Sequence, residues 1–162
     1  MEAKTNVSKR SLAFVERLDE PPIAKTLFGS VKWSWLWLIV RVYLGYQWLS
    51  AGIGKVGNPA WTGDKAGAAI SGFVAGALQK TSGDHPDVQG WFAWFLENLV
   101  QPNTKAFGFL VAYGEVLVGI ALILGLFTGI AAFFGGFMNL NFLLSGAVSI
   151  NPILLFLSLV VI

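Results

Sequence analysis

The sequence predicts an all-α integral membrane protein, a bundle of four helices with the N-terminus on the cytoplasmic side. Three observations carry that class. Hydrophobic residues make up 55% of the 162, charged residues only 12%, and mean hydropathy is +0.65. A soluble domain usually carries about 25% charge. Four segments reach or approach the length needed to cross a bilayer. Many of the 19 glycines fall inside the apolar runs, where small residues let helices pack closely.

Residues 1–32 read as a cytoplasmic tail. It holds six basic residues, Lys4, Lys9, Arg10, Arg17, Lys25 and Lys32, and a Lys/Arg excess marks the cytoplasmic flank of a first span. Mixed charges there, and the length of the apolar run that follows, argue against a secretory signal. Ser11–Leu18 has the pattern of a short amphipathic turn of helix, and Glu20-Pro21-Pro22 would stop it.

The first span is expected over 33–54. Trp33, Trp35 and Trp37 stand at its start, where indoles suit the headgroup interface. Lys55 at the far end can snorkel to water. Residues 56–105 form a long outer connection, opened by the turn-forming pair Asn58-Pro59. Within it, Lys65–Leu78 is too short to span and reads as an interfacial or re-entrant helix. Thr81–Gly90 is a loop, and Trp91–Val100 a short aromatic helix. The second span is expected over 106–126, with a tight turn at Phe127-Thr128-Gly129. The third is expected over 130–148. A turn at Ser149–Pro152 follows, with Asn151 as N-cap and Pro152 at the first helical position. A fourth span starts there with about eleven residues remaining, against the ~20 that a crossing needs. The fourth helix therefore reads as truncated, its C-terminal part missing. One membrane domain over 33–162 results.

Two intramembrane charges are the main chemical signal. Arg41 is the one charge in the first apolar run, and Glu115 the one charge in 106–126. A lone arginine near the bilayer centre costs at least ~2.5–3.5 kcal/mol and normally faces a partner or polar cavity. Arg41 lies about eight residues from the inner end of its span and Glu115 about eleven, ~12 and ~16 Å at 1.5 Å per residue. The expectation is that they meet inside the bundle. Such a pair either fixes helix register or belongs to a quinone, small-anion or proton-handling site. Arg41, Gly45, Trp48, Gly52 and Lys55 share one helix face by their 4, 3, 4, 3 spacing, and Gly108, Ala112, Glu115 and Gly119 share another. Gln47 and Trp48, a turn or two outward of Arg41, supply an amide and an aromatic wall of the kind a quinone head group needs. Arg41, Gln47, Trp48 and Glu115 are the candidate quinone or anion site. Catalytic residues are not assigned.

Other features are weaker. Asn139 and Asn141, two apart, face different sides of the third span, so that one can hydrogen-bond across helices and the other face a cavity. Bonding between helices is the stronger reading. Asp84, His85 and Asp87 resemble a loose metal cluster but read as a solvated loop. The chain has no cysteine and one histidine, His85. Thiolate metal sites, Fe–S ligation and bis-histidine haem are therefore excluded for this chain alone. A net charge of +2 does not suggest nucleic acid.

The pattern Arg41-x-x-x-Gly45-x-x-Trp48-Leu-x-x-Gly52-x-x-Lys55, then Gly114-Glu115-x-x-x-Gly119-x-x-Leu122-x-x-Gly125-Leu-x-Thr128, resembles the DoxX/DoxD family of small four-helix membrane proteins. The resemblance covers roughly 33–162. It implies a multi-pass protein of a bacterial or archaeal cell membrane. It also implies a subunit of a quinone-linked oxidoreductase system, with quinone as cofactor and thiosulfate:quinone oxidoreduction as the DoxD-type activity. Such a subunit would work with other membrane redox subunits, including a small DoxA-type partner. Two alternatives stand beside it: a non-catalytic structural or assembly subunit of a respiratory or photosynthetic complex, docking through Trp61, Trp91, Phe92, Trp94 and Phe95, and a small transporter.

Overall fold

The computed structural model describes residues 21–162. Every regular element among them is helical, and none is a strand. The chain divides into two compact units, one ending at Trp37 and one running from Leu38 to Ile162. The amphipathic turn expected at Ser11–Leu18 lies outside the described residues.

In the first unit the proline pair does not only stop structure. Helix α1 (Pro22–Gly29) begins on Pro22, because a fixed φ and a missing N–H suit the first helical position. The sequence reading left this helix out. A 3₁₀ turn, Val31–Trp33, follows, and the Trp37 indole donates to the Leu27 carbonyl at 2.7 Å.

Helix α2 (Ser34–Val56) continues into the second unit. Helix α3 (Ala68–Leu78) starts three residues later than expected, because Gly67 sits at φ 100° and cannot be its first helical residue. The 81–89 stretch is non-helical, as expected. Helix α4 (Gly90–Phe95) then passes through a π-helical turn (Leu96–Val100) and a 3₁₀ turn (Gln101–Asn103) into α5 (Thr104–Leu124). The sequence reading kept the aromatic helix and the second span apart. The structure joins them into one 35-residue helix, Gly90–Leu124. Wider and tighter turns carry the chain past Pro102, which a regular α-helix could not do without losing a hydrogen bond.

Helix α6 (Thr128–Leu144) ends four residues before the expected limit. Gly146 at φ 70° turns the chain there, and Lys80 Nζ donates to its carbonyl at 2.6 Å. Helix α7 (Asn151–Val161) has Pro152 in its first turn. Its N-cap is Ile150 rather than Asn151, whose amide instead donates back to the Ala147 carbonyl at 2.7 Å.

Two cores hold the second unit. Leu44 and Trp48 of α2, Val118 and Leu122 of α5, Ala131 and Ala132 of α6 and Leu154 of α7 form one. Ile70, Val74 and Ala77 of α3 with Val88, Phe92, Leu96 and Val100 form the other, at the connection end.

The surface identifies the solvent. Helix α5 buries Gly108, Ala112, Glu115, Val118, Gly119 and Leu122. It exposes Leu110 and Leu117 at 67% and 68%. The one charged residue within the apolar run faces inward with three small residues, while Leu110 and Leu117 face outward, which is not the pattern of a water-soluble helix. Gly90–Leu124 is the one described helix both long and apolar enough to cross a membrane, with mean hydropathy 2.2. Glu115, buried on α5, is the first piece of the candidate site.

Candidate polar site in the helix core

Glycines set how α2 and α5 approach. A β-carbon on Gly52 would meet the Val116 backbone nitrogen at 2.6 Å and Glu115 Cβ at 3.0 Å. One on Gly119 would meet Leu49 Cα at 2.7 Å, and one on Gly45 the Gly119 carbonyl at 3.0 Å. The helices are thus in backbone contact and antiparallel, with Gly52 level with Glu115 and Val116, Leu49 level with Gly119, and Gly45 level with Ile123.

That register decides the ion pair. Lys55 Nζ donates to Glu115 Oε2 at 2.6 Å. Glu115 is 1% exposed and the Lys55 side chain 22%. The Lys55 ammonium also lies 5.2 Å from the centroid of the Trp61 ring. Sequence reasoning placed Lys55 on the right face of α2 but assigned it to the interface. Its spacing of three from Gly52, the residue that lets α5 in, was the signal.

Arg41 does not meet Glu115, contrary to the expectation from depth. It stands eleven residues before Gly52, about 16 Å along the helix, and its guanidinium packs on Gly125. The depth estimate took the inner ends of the two helices as level. In the structure α2 extends past the end of α5. Gly125 is the left-handed C-cap of α5, at φ 75°. Its turn is closed by the Leu126 N–H donating to the Ala121 carbonyl at 2.9 Å. A cation at a helix C-terminus meets the negative end of the dipole. Arg41 Nε is buried without a hydrogen-bond partner among the described residues.

Gln47 is not beside Trp48 in the core. Its amide donates to the Tyr43 hydroxyl at 2.8 Å, on another face of α2. Trp48 is buried, and its indole N–H has no partner among the described residues. The indole is pressed on α6: a β-carbon on Gly135 would lie 2.9 Å from Nε1. Neither asparagine bonds another helix. Asn141 donates to the Phe137 carbonyl of its own helix at 2.7 Å. Asn139 is 0% exposed, and neither end of its amide has a partner among the described residues. The sequence reading left Asn139 out of the site.

Asn139 and Glu115 share a level. Gly114 faces Met138, and Gly135 faces both Trp48 and Val118, so one turn beyond Gly135 brings α6 level with Glu115. Gly52, Glu115 and Asn139 therefore form one layer, with the Trp48 indole a turn below and Lys55 above. Asp84, His85 and Asp87 lie in an exposed loop. No cluster of His, Cys, Asp and Glu able to hold a metal occurs among the described residues.

The same stretch of chain matches a known family. The DoxX family model matches residues 36–146. The chain belongs to the DoxX family. DoxX proteins are membrane proteins, which agrees with the lipid-facing surface of α5. No curated protein and no solved structure matches the chain significantly. The DoxX match takes in Arg41, Lys55, Glu115 and Asn139, so the polar layer lies within it.

Proposed function

We propose that this DoxX protein is a multi-pass membrane subunit of a quinone-linked oxidoreductase system, and that the Trp48–Asn139–Glu115 layer is its quinone site. In this reading α2, α5, α6 and α7 form a four-helix membrane bundle, with the basic tail 1–32 cytoplasmic and the 57–103 connection on the outer face.

One observation carries the proposal. Asn139 is fully buried, and among the described residues neither its amide N–H groups nor its carbonyl have a hydrogen-bond partner. Leaving a buried polar group unsatisfied costs about 1–3 kcal/mol, and the Trp48 N–H adds a second such group. Quinone carbonyls accept hydrogen bonds, and these are donors in an apolar surround. The donor set therefore fits the group. Asn139 and Trp48 would hold the carbonyl oxygens. Glu115, hydrogen-bonded to Lys55, would exchange a proton with the bound oxygen. When bound, the quinone supplies the two-electron chemistry that no side chain here provides. Arg41 and Gln47 are not part of this site. Thiosulfate as electron donor, delivered through a partner subunit, is the specific activity we assign.

The test is photolabelling of the purified full chain with an azido-quinone, mapped by mass spectrometry. We expect label on the segments around Trp48 and Asn139, competed by unlabelled decylubiquinone and lost in Asn139→Leu. Label confined to lipid-facing residues such as Leu117, or none that competes, would refute the site.

The second reading, a structural or assembly subunit, is favoured by Trp91 and Trp94. They are 64% and 65% exposed on α4, a surface suited to a partner. It predicts co-purification with a large respiratory or photosynthetic complex and no competed photolabel.

A further inference from the structure

We propose that Lys55 and Glu115 form a one-sided proton entry into the buried layer, opening only toward the face that carries the 57–103 connection. This rests on the reading of the layer as the functional site, but it concerns access rather than the ligand.

The geometry is asymmetric about Glu115. On the connection side the carboxylate touches Lys55 Nζ at 2.6 Å. Lys55 is the penultimate residue of α2, partly exposed, and lies against Trp61 of the connection. A proton-bearing group thus bridges the buried carboxylate and water. On the opposite side Leu44, Leu122 and Ala132 are all 0% exposed and close the core. They stand about two helical turns beyond Gly52, Glu115 and Asn139, roughly 10 Å of apolar packing at 1.5 Å per residue. The charged group on that side, Arg41, is engaged with the α5 C-terminus.

Among the described residues, no other titratable group faces Glu115. Helices α6 and α7 contain none. Tyr43 is bonded to Gln47, and Tyr46 and Tyr113 are exposed on other faces. On α5 itself Lys105 lies ten residues away, toward the connection. The relay is therefore a single step. The Nζ–H bond of Lys55 breaks as its proton bonds to Glu115 Oε2, and the neutral amine regains a proton from water at the surface. Release runs the same path in reverse.

The sequence has no cysteine, so single cysteines can be placed without background. Asp84→Cys marks the connection face and Phe127→Cys the opposite turn. In oriented vesicles, a membrane-impermeant methanethiosulfonate reagent should modify Lys55→Cys and Glu115→Cys only from the side that modifies Asp84→Cys. Asn139→Cys should react from that side at least tenfold more slowly. Modification from the Phe127 side, or of Lys55→Cys alone with Glu115→Cys inert from both sides, would overturn the proposal. Lys55→Arg separates relay from structure, since arginine keeps the pair but does not release its proton. After a pH jump, the Glu115 infrared band, assigned by its loss in Glu115→Gln, should respond at least tenfold more slowly in Lys55→Arg. An equal rate, or no response in the unmodified chain, would also overturn it. A failed quinone label leaves these outcomes unaffected, so the two readings fall separately.

Discussion

The two ends of α2 each bring a cation to α5, and they satisfy it in opposite ways. At one end Arg41 packs on Gly125, where the terminal carbonyls of α5 supply partial negative charge. At the other end Lys55 meets the Glu115 carboxyl group, inside the core. The first is an end-capping contact of the kind worth a few tenths to about 1 kcal/mol. The second holds a buried carboxylate whose removal or exposure is far more costly. The difference teaches that helix register, not the presence of opposite charges on two spans, decides which cation is the partner. The register in turn comes from Gly45, Gly52 and Gly119, which let the two backbones touch.

Breaking the register should break both ends at once. Gly119→Leu would drive a side chain into the Leu49 backbone, which cannot yield as a flexible side chain could. We expect loss of the folded protein, read as aggregation on size-exclusion chromatography in mild detergent. Breaking only the core end is the next largest effect. Lys55→Met leaves Glu115 buried without its partner and should cost about 3–5 kcal/mol, measured by thermal unfolding in detergent. Breaking only the capped end should cost less. Gly125→Ala combines a left-handed backbone with a β-carbon against the Arg41 guanidinium, for which we expect about 1–3 kcal/mol. Smallest is Gln47→Leu, which removes one hydrogen bond to Tyr43 at an exposed face. It should change stability by about 0.5–1.5 kcal/mol or less and leave quinone photolabelling unchanged, which sharpens the exclusion of Gln47 from the site.

Much of the fold was legible because hydropathy and small-residue spacing are local signals. The limits of α2 and α5 fall within two residues of the expected spans, and the glycine face of α2 was readable from spacing alone. The continuous helix through Leu96–Asn103 was not, because π and 3₁₀ turns that carry a chain past Pro102 leave no periodic trace. The candidate site was half legible. Trp48 and Glu115 were named, and Lys55 was placed on their face. Arg41 was drawn in by an assumption that both helices end at the same depth, whereas α2 runs past α5. Asn139 was passed over because an asparagine inside a span reads first as a link between helices. Only the three-dimensional packing shows that its amide is buried and bonded to nothing among the described residues.

A pair of double-mutant cycles tests the account most directly, one coupling Lys55→Met with Glu115→Leu and the other Arg41→Met with Glu115→Leu. Unfolding free energies in one detergent should show a coupling of at least ~2 kcal/mol for Lys55–Glu115, while residues about 16 Å apart should be additive within ~0.5 kcal/mol. Strong coupling of Glu115 to Arg41, with Lys55 additive, would contradict the register on which the polar layer and its proton entry depend.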